Sequence, residues 1–182
     1  KTQSFNCIYL NGYQNNLGGG WDGFLVKYDT FQNPFWGTYY GGSSDDFINS
    51  IAVKGNNIFT AGSTSSTSKI NLLGWQQNYG GGTSDGTLAK YITAGQMEWS
   101  TYYGGSRRDE LKSVSAKNKL YVAGLTNSTN NIGSNGFQNN HSGLLDAMFG
   151  EMTEAELTLL VTEDKYCCKK EYLLSVDYTN MN

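Results

Sequence analysis

The acidic residues are the first candidates for chemistry, because they return at fixed intervals. Asp22, Asp85 and Asp146 occupy one repeat position and Asp46 and Asp109 another, with Asp45 and Glu110 as neighbours. Two carboxyls in one cleft, held in different environments, could cleave a glycosidic bond. Asp46 and Asp109 could instead hold calcium together with nearby loop carbonyls. Recurrence favours a structural role over both. A catalytic pair is needed once per protein, whereas an aspartate present in every unit more often makes a turn contact or caps strand-end N–H groups.

The aromatic–Gln–Asn elements are the second candidates. Tyr13, Trp75 and Phe137 each precede a Gln, 62 residues apart. A row of such rings on long loops could stack on sugars or hold a protein partner. It could also plug the apolar gap between neighbouring units, which the constant register favours. Trp36 and Trp99 read as core for the same reason.

Other reactive types offer less. His141 is the single histidine, and the three cysteines have no Cys-x-x-Cys spacing, so no zinc set is complete. Adjacent Cys167 and Cys168 would be strained if bridged; a bridge from Cys7 to one of them is left open. Gly18 to Gly20 and Gly80 to Gly82 lack phosphate-loop spacing and a following Lys-Ser/Thr, and read as turns.

The elements that must position these residues follow from an internal repeat. Trp36-Gly37-Thr38-Tyr39-Tyr40-Gly41-Gly42-Ser43 returns as Trp99-Ser100-Thr101-Tyr102-Tyr103-Gly104-Gly105-Ser106. Asp22 to Tyr28 matches Asp85 to Tyr91, and a third copy begins at Asp146. Ile58 to Gly62 matches Leu120 to Gly124. Within one unit the period-2 pattern predicts strands at about 22–29, 34–40, 47–53 and 57–62, each bounded by Gly, Asn, Asp or Pro. In the first, Phe24, Val26 and Tyr28 alternate with Leu25 and Lys27, so one face is buried and the other mixed. The turn Lys54-Gly55-Asn56-Asn57 shortens to Lys117-Asn118-Lys119 in the next copy, at a hairpin tip where a deletion costs least.

Four antiparallel strands per unit of about 62 residues describe a propeller blade, which must stack on neighbours to bury its faces. The expected fold is therefore all-β: tandem four-stranded blades of a β-propeller, a partial ring in this chain, with a β-sandwich as the runner-up. Residues 1–20 read as the end of a preceding blade, 21–82 and 83–145 as blade repeats. Residues 146–182 read as a degenerate blade and an unassigned segment.

Composition agrees. The 182 residues include 23 Gly and a single Pro, with 38% hydrophobic, 16% charged and 14% aromatic residues, a turn- and strand-rich profile. A net charge of -3 with scattered Lys and Arg argues against a nucleic-acid groove. Arg107-Arg108 and Lys169-Lys170 read as solvated surface. No stretch reaches the roughly 18 apolar residues of a membrane helix. The Lys1-Thr2-Gln3 start, without Met or an apolar core, leads us to expect a longer or processed chain.

These residues resemble the SBBP family of bacterial β-propeller repeats: Phe137-Gln138, Gly80 to Gly82, Asp22 to Lys27, Trp99 to Gly105 and Leu120 to Gly124. The resemblance covers about residues 12–150; beyond it the Thr-Tyr-Tyr-Gly-Gly signature is missing, and Leu157 to Val161 falls where the second strand belongs. It implies a propeller in large secreted or cell-surface bacterial proteins, many similar to cargo or partners of type IX secretion, and no known enzyme activity. The expected function is a non-catalytic module that scaffolds or binds glycan or protein partners, or further blades of the same protein. The alternative is the propeller domain of a carbohydrate-active enzyme. No cofactor is expected beyond the calcium alternative at Asp46 and Asp109.

Overall fold

A computed structural model describes residues 1–4, 8, 11–133, 141 and 144–152. Every regular element among them is a β-strand. The first repeat yields β1 (Gly23–Tyr28), β2 (Pro34–Tyr40), β3 (Asp46–Lys54) and β4 (Asn57–Thr64). The second yields β5 (Asp85–Ile92), β6 (Met97–Tyr103), β7 (Asp109–Ala116) and β8 (Leu120–Thr126), and the third opens with β9 (Asp146–Met152). The strands lie within two residues of the expected bounds because Gly, Asn and Pro punctuate the chain where pairing must stop. Among the described residues no helix is long and apolar enough to cross a membrane.

The strands form antiparallel sheets of two, four and three strands: β1-β2, β3-β4-β5-β6 and β7-β8-β9. The sheets are out of phase with the units cut from the sequence. The central sheet joins the second hairpin of one repeat to the first hairpin of the next. The short link 41–45 carries the chain to a new sheet, whereas the long loop 65–84 returns it to the same one. On its way the loop covers the outer edge of β6, where Leu72 exchanges backbone hydrogen bonds with Ser100 (2.9 and 3.0 Å) and the Gln76 carbonyl accepts from Tyr102 N–H at 3.2 Å. An otherwise open strand edge is thereby closed.

The three sheets stack face to face. Leu25, Trp36 and Tyr40 of the first sheet pack on Ile58, Ala89, Tyr91 and Tyr102 of the central one, with loop residue Ile70. The opposite central face, Phe59, Ala61, Leu88, Trp99 and Tyr103, packs on Leu111, Val114, Leu120, Val122 and Met148. Both faces of the central sheet are covered, so β4 and β5 are buried almost throughout and do not alternate. In β1 the buried side is Leu25, while Phe24 and Tyr28 are exposed. Trp36 and Trp99 are core, and Trp36 Nε1 donates to the Thr93 carbonyl across the junction at 2.8 Å.

A bulge in β3 at Asn49 and one in β7 at Lys112 break the ladder at equivalent positions. In the central sheet the bulge has a visible use. Asn49 Nδ2 donates to the Leu111 carbonyl at 2.8 Å, and Ser50 Oγ accepts from Val114 N–H at 3.1 Å. The extra residue re-aims side chains at the next sheet.

Candidate functional site

The recurrent aspartates converge in pairs at one end of the stack, where the chain crosses between sheets. Asp22 immediately precedes β1, Asp46 opens β3, and both are fully buried. Gly41, just after β2, separates them. A β-carbon there would stand 2.6 Å from Asp22 Oδ1 and 2.7 Å from Asp46 Oδ2, so only glycine lets the two carboxyls approach. The next junction repeats this with Asp85, Asp109 and Gly104, where the distances are 2.9 and 2.8 Å.

Each pair is ringed by donors. Asp46 Oδ2 accepts from Gly42 N–H at 2.7 Å and Ser66 Oγ at 2.8 Å, and its Oδ1 accepts from Thr64 Oγ1. Asp109 takes the same set: Gly105 N–H and Ser128 Oγ at 2.8 and 2.7 Å, and Thr126 Oγ1. Ser66 and Ser128 return their N–H groups to those threonine hydroxyls, a local turn that aims both hydroxyls at the acid. Asp22 Oδ2 accepts from Gly18 N–H at 2.7 Å and Gln14 Nε2 at 3.1 Å; Asp85 Oδ2 accepts from Gly80 N–H at 2.6 Å and Gln76 Nε2 at 3.2 Å. Asp22 Oδ1 and Asp85 Oδ1 are buried and have no donor among the described residues.

Burial sets the electrostatics. Desolvation pushes the Asp46 carboxyl up to about 6 against its donors, and it raises Asp22 as well. Desolvation likewise lifts Asp85 to about 7, with the charge of Asp109 adding to the rise. Two like charges flanking one glycine disfavour double ionisation.

The arrangement stitches sheets together. Asp22 and Gly41 belong to the first sheet, and Asp46, Thr64 and Ser66 to the central one. Asp46 N–H also donates to the Trp21 carbonyl at 2.5 Å, and Asp109 N–H to that of Ser84 at 2.7 Å. The same geometry offers little to a substrate, because the four acids are sealed from solvent and an acid–base pair must touch the bond it breaks. Calcium there would have to displace the N–H and O–H donors that both oxygens of Asp46 and of Asp109 hold. Among the described residues no three His, Cys, Asp or Glu side chains cluster to hold a metal ion.

The flanking acids diverge. Asp45 Oδ1 caps Trp21 N–H at 3.0 Å, whereas Glu110 pairs with Arg108 and Lys112 at the surface. Tyr13 and Trp75 stand on the outer rim, 44% and 40% exposed, with Trp75 against Tyr103 at 6.3 Å between centroids. The expected inter-unit plug is thus half open. The neighbouring glutamine holds the loop, leaving the ring at the edge: Gln14 N–H and Gln76 N–H donate to Thr38 Oγ1 and Thr101 Oγ1 at 2.8 Å. Phe137, Cys7, Cys167 and Cys168 lie outside the described residues, and His141 lies in the loop before β9.

The sequence places the glutamines within the aromatic–Gln–Asn elements, with the role expected of the ring, and it carries no expectation for the Thr-x-Ser hydroxyls. A signal existed. Thr2-x-Ser4, Thr64-x-Ser66 and Thr126-x-Ser128 stand 62 residues apart, a spacing identical to that of the glutamines. Comparison with family models and with curated proteins finds no match to the chain.

Proposed function

We propose that the stacked sheets are blades of a β-propeller and that the chain serves as a non-catalytic repeat module of a secreted or cell-surface bacterial protein. Its role is to scaffold, or to bind glycan or protein partners through the loops at the blade rim. One observation carries this reading. The acid pair recurs in matching form at two successive junctions, and internal donors hold three of the four carboxyl oxygens in each, so its carboxyls work for the stack. The repeated groups left facing outward are the half-exposed rings of Tyr13 and Trp75, whose flat apolar faces suit a sugar ring or a partner side chain.

The test is affinity electrophoresis of the chain against soluble bacterial and plant polysaccharides, run alongside a reducing-end assay on the same panel. Retardation by at least one glycan, lost in Trp75→Ala and unaccompanied by product, is the expected result. Release of product that disappears in a folded Asp46→Asn variant would replace the module reading with an enzyme.

A further inference from the structure

The two interfaces between sheets treat the same tyrosine differently. At the second, Tyr103 Oη donates to the Ile132 carbonyl at 2.5 Å. Its counterpart at the first is Tyr40, and Ile70 stands where Ile132 does in the repeat. There, however, Ser100 Oγ donates to the Ile70 carbonyl at 2.5 Å. The repeat explains the change, since the residue after the tryptophan is Gly37 in β2 but Ser100 in β6. The serine takes the carbonyl that would otherwise hold the phenol.

Tyr40 is thereby left without an acceptor, and Tyr91 shares its state. Both hydroxyls are buried and have no hydrogen-bond partner among the described residues, in side chains 2% and 0% exposed. Both rings belong to the one cluster that joins the first sheet to the central sheet. A buried hydroxyl that gives up its hydration needs a partner in return, and here two lack one within a single layer.

Burial also fixes their protonation. Desolvation raises Tyr91 well above the ordinary phenol value, and the charge of Tyr40 adds to the rise. Desolvation raises Tyr40 as well, against the nearby hydroxyls of Thr87 and Ser100. Both phenols therefore remain donors across the neutral range. Thr87 marks the same contrast between the interfaces. It pairs with Gly62 as Met148 pairs with Gly124, and Met148 is part of the apolar cluster at the second interface.

We propose that a water-binding site lies inside the interface of the first and central sheets, where water accepts from the Tyr40 and Tyr91 hydroxyls and donates to the hydroxyl oxygens of Thr87 and Ser100. The chemistry selects this ligand. Two donors lack acceptors, and the hydroxyl oxygens of Thr87 and Ser100 have lone pairs to offer, that of Ser100 because its own proton goes to Ile70. The phenols are sealed from solvent, so the occupant is small. An internal water makes about three hydrogen bonds to groups otherwise unsatisfied, and these side chains supply them.

The experiment is water-oxygen magnetic relaxation dispersion on the whole chain, which counts water molecules held for longer than the protein takes to tumble. The Tyr40→Phe/Tyr91→Phe double variant should lose amplitude equivalent to at least one such water. Tyr103→Phe, whose hydroxyl already holds a carbonyl, should lose none. Thr87→Met copies the second interface and should lose the same amplitude as the double variant with the far-UV spectrum unaltered, so the result does not hang on one variant folding. An amplitude unchanged in the double variant or in Thr87→Met overturns the proposal. A loss of equal size in Tyr103→Phe also overturns it, because the signal would then not belong to this interface.

Discussion

Raising the pH from 5.5 to 8.5 should destabilise this protein, against the habit of domains whose carboxylates form surface ion pairs. The ordinary carboxyl value of 3.8 is raised in the folded state to about 7 at Asp85 and about 6 at Asp46. A group raised on folding contributes stability that is complete below its unfolded value and is lost as pH climbs through the folded one. The loss therefore runs from about pH 4 to about pH 7, and Asp85 carries most of what remains above pH 5.5. Taken in full, shifts of roughly two and three units at about 1.4 kcal/mol each would amount to several kcal/mol. The part of this that falls above pH 5.5, roughly two units and mostly at Asp85, is about 2–3 kcal/mol. For a chain of this size that lowers Tm by about 4–8 °C. Glu110 and Asp29, both lowered, act with the opposite sign, but their contribution is complete before pH 5.5. The assay is thermal unfolding by circular dichroism at constant ionic strength. Asp85→Asn is the decisive variant, since its amide nitrogen in place of the donor-free oxygen would donate toward Asp109. The variant should flatten much of the slope and match or exceed the parent at pH 8.5. A Tm that is level or rising across this window, or a slope untouched by Asp85→Asn, would refute the raised carboxyls of Asp85 and Asp46.

The partner carboxyl predicts the reverse. Asp109→Asn turns one acceptor oxygen into a donor, facing either Thr126 Oγ1 or the Ser128 Oγ and Gly105 N–H pair, so it should lower stability by about 2–3 kcal/mol at every pH, read as the urea midpoint. A midpoint within experimental error of the parent would mean that those contacts carry no net stability. Calcium supplies a further check. Because Asp46 and Asp109 hold donors, millimolar calcium should leave Tm unchanged relative to chelator, and a rise of several degrees that Asp46→Asn removes would show that these oxygens are ligands.

How far the sequence could lead depends on which interactions are local. Strands β1 to β8 were legible because alternation and turn residues act over a few positions: Pro34 opens β2, and Gly55 at φ +56° turns the β3-β4 hairpin. The grouping of strands into sheets was not. A repeat has no intrinsic starting point, and the sequence unit was cut at the long Ser/Thr/Asn loop, which looks like a linker. Hydrogen bonding ignores that cut, since loop 65–84 closes the edge of β6 and returns to pair β5 with β4. The buried face of β1 was equally beyond reach. Phe24, Val26 and Tyr28 are more apolar than Leu25 and Lys27, yet the Leu25 side is buried because the central sheet lies there.

The carboxyl pair shows the same limit from the side of chemistry. Asp22 and Asp46 were recognisable as recurrent acids, but nothing local says that they meet. Their encounter depends on Gly41 lacking a side chain and on the sheets crossing at that glycine. The repeat could still have identified the complete cluster. Gln14 and Gln76, Thr64 and Thr126, and Ser66 and Ser128 return in register with the aspartates, and polar residues that recur with an acid in a stacked fold are its natural donors, because a buried carboxylate left without them would cost more than the packing around it returns.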